Sequence, residues 1–551
     1  MSSRAQTVFV NGAVYTGGLA EPDARVTGLA VADGRILALG GADELAELTG
    51  PDTEVVDLAG GLVLPGFVDA HIHPVEGGLE LMRCDLSGAA TREQYLAIIR
   101  DYAEANPELP WILGGGWQVA AFPGGAPLAT DLDAVIGDRP AFLSNRDHHG
   151  AWVSSRALEI AGLRADTPDP ADGRIERDAN GAPSGTLHEG ARTLVTRHIP
   201  ADTTAEETEA LLTAQKYLHS LGITGWQDAI VGDYGSHSDT GPVYLEAARS
   251  GALTARVVAA LWWERSRGVE QIPELVARRE ALEHPRFRAT SIKIMQDGIP
   301  ENYTAGMLEP YLDASGAPTL GTGLSFVDPI ELRRDVTELD RAGFQVHIHA
   351  IGDRAVRESL DAIEAARAAN GDSGIRHHLA HVQVVHPDDL ARFAPLGATV
   401  NMQALWANWE PQNELINLVA LGAERSSWQY PFAQLWNAGA VFCAGSDWPV
   451  TTPDPWAAIQ VAVTRRLPHD DADYNPKPFY PGSALSLAQA LSAYTQGSAR
   501  INAFEPTGTL EPGAVADLAV VDRNPFAGSV DAISDTRTAS TWIDGVRVHT
   551  T

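Results

Sequence analysis

Short apolar runs broken by turn signals open and close the chain. TVFVNGAVYTG, VTGLAVADGRILALG and TEVVDLAGGLVLPG crowd the first residues, and ADLAVVDRNPF and TASTWIDGVRVHT the last. Alternating apolar residues bounded by Asn-Gly and Asp-Gly read as strands joined by hairpin turns. Because the two ends of a chain commonly lie close together, the pattern predicts one composite β-sandwich, with residues 1–63 and 501–551 supplying its two parts.

Between these ends, short apolar segments alternate with amphipathic stretches such as VDPIELRRDVTELDRAG and RAVRESLDAIEAARAAN, which end at Gly or Asn as helix C-caps do. The strands fall on GFVDAHIH, ITGWQDA, ARVVAALWW, TSIKIMQDG, FQVHIHA, HHLAHVQ, ATVNMQA and AVFCAGSDW. Eight strands alternating with helices predict a closed α/β barrel of the (β/α)8 TIM type over residues 64–500. Residues 75–220 separate the first strand from the second. That span is too long for a loop, and it reads as an inserted subdomain over the end of the barrel where such folds keep their chemistry.

Composition narrows the function. Of 551 residues, 44% are hydrophobic and 20% charged, as in globular proteins. No apolar run approaches the ~20 residues that span a bilayer, and the N-terminus lacks the continuous apolar stretch of a signal peptide, so a soluble, cytoplasmic protein is expected. The net charge of −32 argues against nucleic acid or an anionic membrane as partner. It reads as a solvated acidic surface, and the partner is then a small-molecule substrate, with a homodimer left open. Cys84 and Cys443 are too few and too far apart for a disulfide framework or a structural zinc site.

His71 and His73 lie two apart in LPGFVDAHIHP, so a strand would point both imidazoles to one side as a ligand pair. His347 and His349, then His377, His378 and His381, then Asp447 also sit near strand ends. Lys293, between Ile292 and Ile294, belongs on a buried strand, where an unpaired ammonium is heavily penalised. Either it pairs with a carboxylate such as Asp297 or Asp447, or the neutral amine is carboxylated by CO2 into an anionic bridging ligand. Trp117 in GGGWQVAAF, His149 in RDHHGAW, Asp297 and Trp448 are candidates for substrate contact, the first because Gly-rich backbone permits close approach.

The ordered set of His-x-His, Lys, two further His and a final Asp resembles the amidohydrolase superfamily. RDHHGAWVSS, HAIGDRAV and KIMQDG resemble its amidohydrolase-3 branch, from GAVYTGG to LEPGAVADLAVVD, and MQDGIPENYTAGMLEPY is most similar to N-substituted formamide deformylases. The resemblance implies His71, His73, Lys293, His349, His381 and Asp447 as ligands of two divalent ions. Zinc suits this donor set best, although manganese, iron and nickel share its chemistry. It further implies carboxylated Lys293, a metal-bridging hydroxide that attacks an amide carbon, and Asp447 as the catalytic proton carrier. No Glu follows His349 where mononuclear deaminases carry one, which favours amide hydrolysis. A mononuclear deaminase or D-aminoacylase-like hydrolase, and a non-catalytic metal-binding barrel, are the rival readings.

Overall fold

The computed structural model describes residues 4–551 apart from 147, 171–172, 235–237, 411–412 and 505. Eight parallel strands lie in sequence order: Phe67–Ile72, Ile223–Val231, Arg256–Trp262, Phe287–Met295, Gln345–Ala350, His378–His381, Thr399–Met402 and Val441–Ala444. They fall on the eight segments read from the sequence, and a TIM-type barrel results. Each strand divides its side chains by parity. In the fifth, Val346, Ile348 and Ala350 pack outward under the helices, which leaves His347 and His349 on the opposite, inner face. The fourth does the same, with Ile292 and Ile294 in the core and Lys293 facing in.

The helices have local causes. Asp328 caps the helix Pro329–Arg341 by accepting the Ile330 N–H at 2.9 Å, Leu332, Val336 and Leu339 form its buried stripe, and Gly343 ends it at φ +80°. The seam between last and first strands is closed by two backbone hydrogen bonds. Asp447 N–H donates to His71 O at 2.7 Å, and His73 N–H donates to Trp448 O at 2.8 Å.

Both chain ends build the β region. One sheet is N-terminal, ordered Arg35–Gly40, Gly28–Ala32, Thr7–Val10 and Glu54–Asp57. The other joins Ala13–Val14 and Leu62–Pro65 to Leu518–Val521, Thr538–Ile543 and Val546–Thr550. Phe9, Leu29, Val63, Leu518 and Trp542 share a core between them. The Asp33-Gly34 and Asp544-Gly545 turns have positive φ at both residues, the geometry that lets a two-residue hairpin follow strand twist.

Within the stretch between barrel strands one and two, residues 84–189 carry a six-stranded mixed sheet with a core of its own. The flanking helices Pro74–Met82 and Thr204–Ser220 pack on each other so closely that a Cβ on Gly78 would lie 2.0 Å from Ala210 O. Both cysteines are buried free thiols. No helix among the described residues is long and apolar enough to cross a membrane.

Charge fastens the β region to the barrel. Arg256 donates from Nε to Asp517 Oδ2 at 2.7 Å and from its terminal nitrogen to Asp544, which also takes Arg286. Asp517 is 3% exposed, so removing its cation strands a buried carboxylate. Arg256→Ala should destabilise the protein by about 3 kcal/mol and lower its thermal midpoint by about 2–4 °C. Calorimetry showing an unchanged midpoint would remove this pair from the interface.

Candidate metal centre

The donors predicted from strand ends converge at one rim of the barrel. His71 sits on the first strand, and His73 precedes the helix Pro74–Met82. Asp447 follows the eighth strand at φ +61°, a left-handed conformation that an ordinary residue holds only when its surroundings enforce it. The seam hydrogen bond to His71 O enforces it here. The turn brings Asp447 Oδ1 to 3.1 Å from His71 Nε2 and 3.0 Å from His73 Nε2. His381, also left-handed at φ +75°, closes the group: the donor atoms of His71, His381 and Asp447 lie within 4.8 Å of one another.

His349 and Lys293 complete the set. The His349 ring centroid is 4.5 Å from that of His381, and Lys293 Nζ is 3.4 Å from His71 Nε2. Lys293 is 2% exposed and, among the described residues, forms no ion pair with either carboxylate considered for it. Asp297 is occupied elsewhere, and Asp447 binds the two histidines.

Burial sets the protonation of the cluster. Desolvation, with Lys293 adding to it, pulls His71 down to about 3 and pushes His349 and His381 below the ordinary imidazole range. For His73 desolvation is outweighed by Asp447, and its pKa rises. Desolvation also opposes the charge on Asp447, yet His71 and His73 hold it well below the usual carboxylate range. Lys293 falls to about 8 through burial, against the opposing pull of Asp447. The neutral imidazoles of His71, His349 and His381 beside an ionised Asp447 are the protonation states a divalent cation requires, and His381 Nδ1 is a buried nitrogen without a hydrogen-bond partner among the described residues. The donor set therefore fits a metal.

Behind the donors stands a second layer of polar groups. His347 Nε2 lies 2.8 Å from His71 Nδ1, and the His381 N–H donates to Gln403 Oε1 at 2.7 Å. Asp69 accepts the His71 and Ser446 N–H groups at 3.0 and 3.1 Å. Burial pushes Asp69 up to about 7 despite these donors. Sequence reasoning overlooked Asp69, although its place two residues before His71 on one strand was a usable signal. His377 is tied to Asp340 at 3.0 Å and His378 to Asn401 at 3.1 Å.

A cavity of about 620 Å³ opens over the donors and is lined by His149, which lies 2.9 Å from Glu189. Three expected substrate contacts are corrected. Trp117 is fully buried in the core of the inserted domain and donates to Leu143 O at 2.8 Å. The adjacent glycines serve strand packing instead, since a Cβ on Gly114 would meet Cys84 O at 2.1 Å. Asp297 is 0% exposed and outside the cavity lining; it accepts from Gly306, Ile351 and Gly352 N–H and faces His349 Nδ1 at 3.2 Å, so it orients that imidazole. Trp448 packs on Gly77 and Tyr217 away from the cavity.

A family model described as the amidohydrolase family matches residues 54–549. The chain is 32% identical over 493 residues to the protein LONG AFTER FAR-RED 3 of Arabidopsis thaliana, across 87% of this chain and 80% of that one. It is 27% identical to an N-substituted formamide deformylase of Arthrobacter pascens, across 91% of both. The crystal structure of an uncharacterized metal-dependent hydrolase from Pyrococcus furiosus superposes with a TM-score of 0.70 at 27% identity, over 94% of this chain and 99% of that one.

Orientation of a ligand imidazole by a carboxylate has a measurable weight. Asp297→Ala should weaken divalent-metal affinity about 10–100-fold, read by competition with a chromophoric chelator. Wild-type affinity in a folded variant would reduce Asp297 to a packing role.

Proposed function

The chain belongs to the amidohydrolase family and is a metal-dependent hydrolase, and on that premise we propose that it cleaves the C–N bond of a small N-substituted amide with a small acyl group, a formamide foremost. The observation that carries this reading is the sharing of Asp447 Oδ1 by His71 and His73, with His381 alongside and buried Lys293 3.4 Å from His71, beneath a cavity large enough for a small organic molecule. The formamide assignment is supported by the Arthrobacter pascens relative.

His71, His73, Lys293, His349, His381 and Asp447 are the residues that would hold two divalent ions, with zinc the best match to the donors. When bound, such ions supply Lewis acidity toward a carbonyl and acidify water enough for attack at neutral pH. The remaining work belongs to the chain. Asp447 Oδ1, held ionised by its two histidines, takes the proton of the attacking water and returns it to the leaving nitrogen, so acid and base roles fall on one atom. Asp297 and His347 fix the rotations of His349 and His71. The cavity walls exclude bulk water and position the amide.

Lys293 has a distinct role. Its neutral form, favoured by burial, attacks CO2 through Nζ; a C–N bond forms, one proton leaves and a carbamate anion remains. An anion there balances cationic charge that an ammonium would add to.

Two experiments check this reading. Purified protein should contain about two divalent ions per chain, lose activity on chelation, and hydrolyse N-substituted formamides in preference to phosphoesters or nucleobase amines. One tight ion with full activity, or turnover confined to the latter substrates, would replace the reading with a mononuclear hydrolase or deaminase. Lys293→Ala should lose metal and activity together, by about 10³-fold or more in kcat, while acetate or propionate restores part of both. Retention of both metals by the unaided variant removes the bridging role.

A further inference from the structure

Buried tyrosines in this protein mostly spend their hydroxyls on the chain itself. Those of Tyr15, Tyr95, Tyr244 and Tyr311 donate to Gly18 O, Ala89 O, Asp228 Oδ2 and Ala305 O, as burial of a phenol requires. Tyr494 has an unpartnered hydroxyl, but it is sealed inside the protein. Tyr430 differs from all five. It is 2% exposed and lines the cavity over the candidate metal centre, and its hydroxyl has no hydrogen-bond partner among the described residues, yet is not sealed off.

The backbone holds Tyr430 there under constraint. Its φ is +47°, a left-handed conformation that a non-glycine residue keeps only where neighbours impose it. Its N–H donates to Gln383 O at 2.6 Å, and Gln383 Nε2 donates to Gln429 Oε1 at 2.9 Å. Gln383 lines the same cavity two residues beyond His381, so these bonds fasten Tyr430 beside the segment that carries a metal donor.

Behind the ring stands an unpaired cation. Arg465 is 0% exposed, and its guanidinium lies 5.4 Å from the Phe432 ring centroid and 5.5 Å from that of Phe479. Tyr430 packs on the same two rings, at 5.9 and 6.4 Å. Arg465 Nε donates to Phe479 O at 2.9 Å, and neither terminal nitrogen has a partner among the described residues. A guanidinium keeps its charge even in such surroundings. Burial raises the Tyr430 pKa well above the ordinary phenol range; Glu410 and Glu301 add to the rise and Arg465 opposes it. The hydroxyl therefore stays protonated and is free to donate.

We propose that the Tyr430 hydroxyl donates a hydrogen bond to the acyl oxygen of the amide substrate, making Tyr430 a further catalytic residue, and that Arg465 is a positioning residue supplying positive potential behind it. The proposal rests on the amide-hydrolysing reading of the same cavity. As water attacks the acyl carbon, the C=O π pair moves onto oxygen and the new charge strengthens the bond; no proton leaves the phenol. A buried cation near the donor favours a partner that gains negative charge over one that carries a positive charge.

Tyr430→Phe keeps the ring against Phe432 and Phe479 and removes only the hydroxyl. In the full-length, metal-loaded enzyme its kcat for N-butylformamide and N-butylacetamide should fall about 10²-fold, with the loss on kcat rather than KM and with metal content and thermal midpoint unchanged. N-butyl methylphosphonamidate, an anion whose tetrahedral phosphorus mimics the attacked carbon, should bind about 10²-fold more weakly to this variant by calorimetric titration. Arg465→Met should weaken the phosphonamidate about tenfold and leave KM for the neutral amides unchanged, a split that lost packing would not produce. Undiminished kcat and phosphonamidate affinity in folded Tyr430→Phe would overturn the proposal for Tyr430. Equal losses of anion and neutral amide in Arg465→Met would overturn the part given to Arg465. A wild type without turnover of any N-substituted amide would instead fell the underlying reading, and this inference with it.

Discussion

The backbone hydrogen bond from Asp447 N–H to His71 O joins the last barrel strand to the first, and the geometry of the candidate centre follows from it. Closing a sheet into a barrel requires its two edge strands to meet, and in this chain they meet at their C-terminal ends. The reciprocal bond from His73 N–H to Trp448 O locks the register. Asp447 is thereby held left-handed, and its carboxylate turns back across the seam toward His71 and His73. One closure contact thus serves both the fold and the site. A substitution that opened the seam would separate Asp447 from His71 and His73 even if all three side chains remained.

Polar groups inside the barrel carry this constraint sideways. Asn401 on the seventh strand donates to Ala70 O on the first at 2.9 Å, Gln403 donates to Asn401 Oδ1 at 2.9 Å, and the His381 N–H donates to Gln403 Oε1 at 2.7 Å. This chain reaches from the first strand to the sixth and holds His381 at its positive φ. Backbone strain of this kind persists only where the surroundings over-determine it. Networks of buried amides supply the surroundings because each member is fixed by two or more partners.

Much of this was legible in the sequence, for physical reasons. Strand segments announced themselves because each is apolar and short, and His71 with His73 stood out because period two maps onto one face of a strand. Lys293 was conspicuous because an ammonium between two isoleucines contradicts burial rules. What failed were the inferences that depended on long-range contacts. The glycines before Trp117 signalled close approach correctly but not its partner, which is Cys84 O in a neighbouring strand rather than a ligand. Trp448 follows Asp447 in sequence, yet its side chain packs on Gly77. Asp297 was weighed as a partner for Lys293 or a substrate contact. Three backbone N–H donors, from Gly306, Ile351 and Gly352, and His349 engage it instead, and no local pattern encodes that convergence.

The barrel and the inserted sheet divide the labour of the site. Every proposed metal ligand comes from barrel strands or the turns after them, where the backbone is held by neighbours on both sides, so the ligands keep their spacing. The insertion supplies cavity wall instead and is anchored at two places. His148 pairs with Glu76 at 3.0 Å and Glu80 at 3.3 Å, on the helix that begins directly after His73. Burial opposes the charge on His148, but these two glutamates raise its pKa to about 9, which favours the imidazolium at neutral pH. Glu189 accepts from Asn302, in the loop after the strand that carries Lys293. Both anchors attach beside the proposed metal ligands rather than to them. The cavity can therefore change shape through substitutions in the insertion while the donor geometry stays fixed, which is how one barrel chemistry is adapted to different substrates.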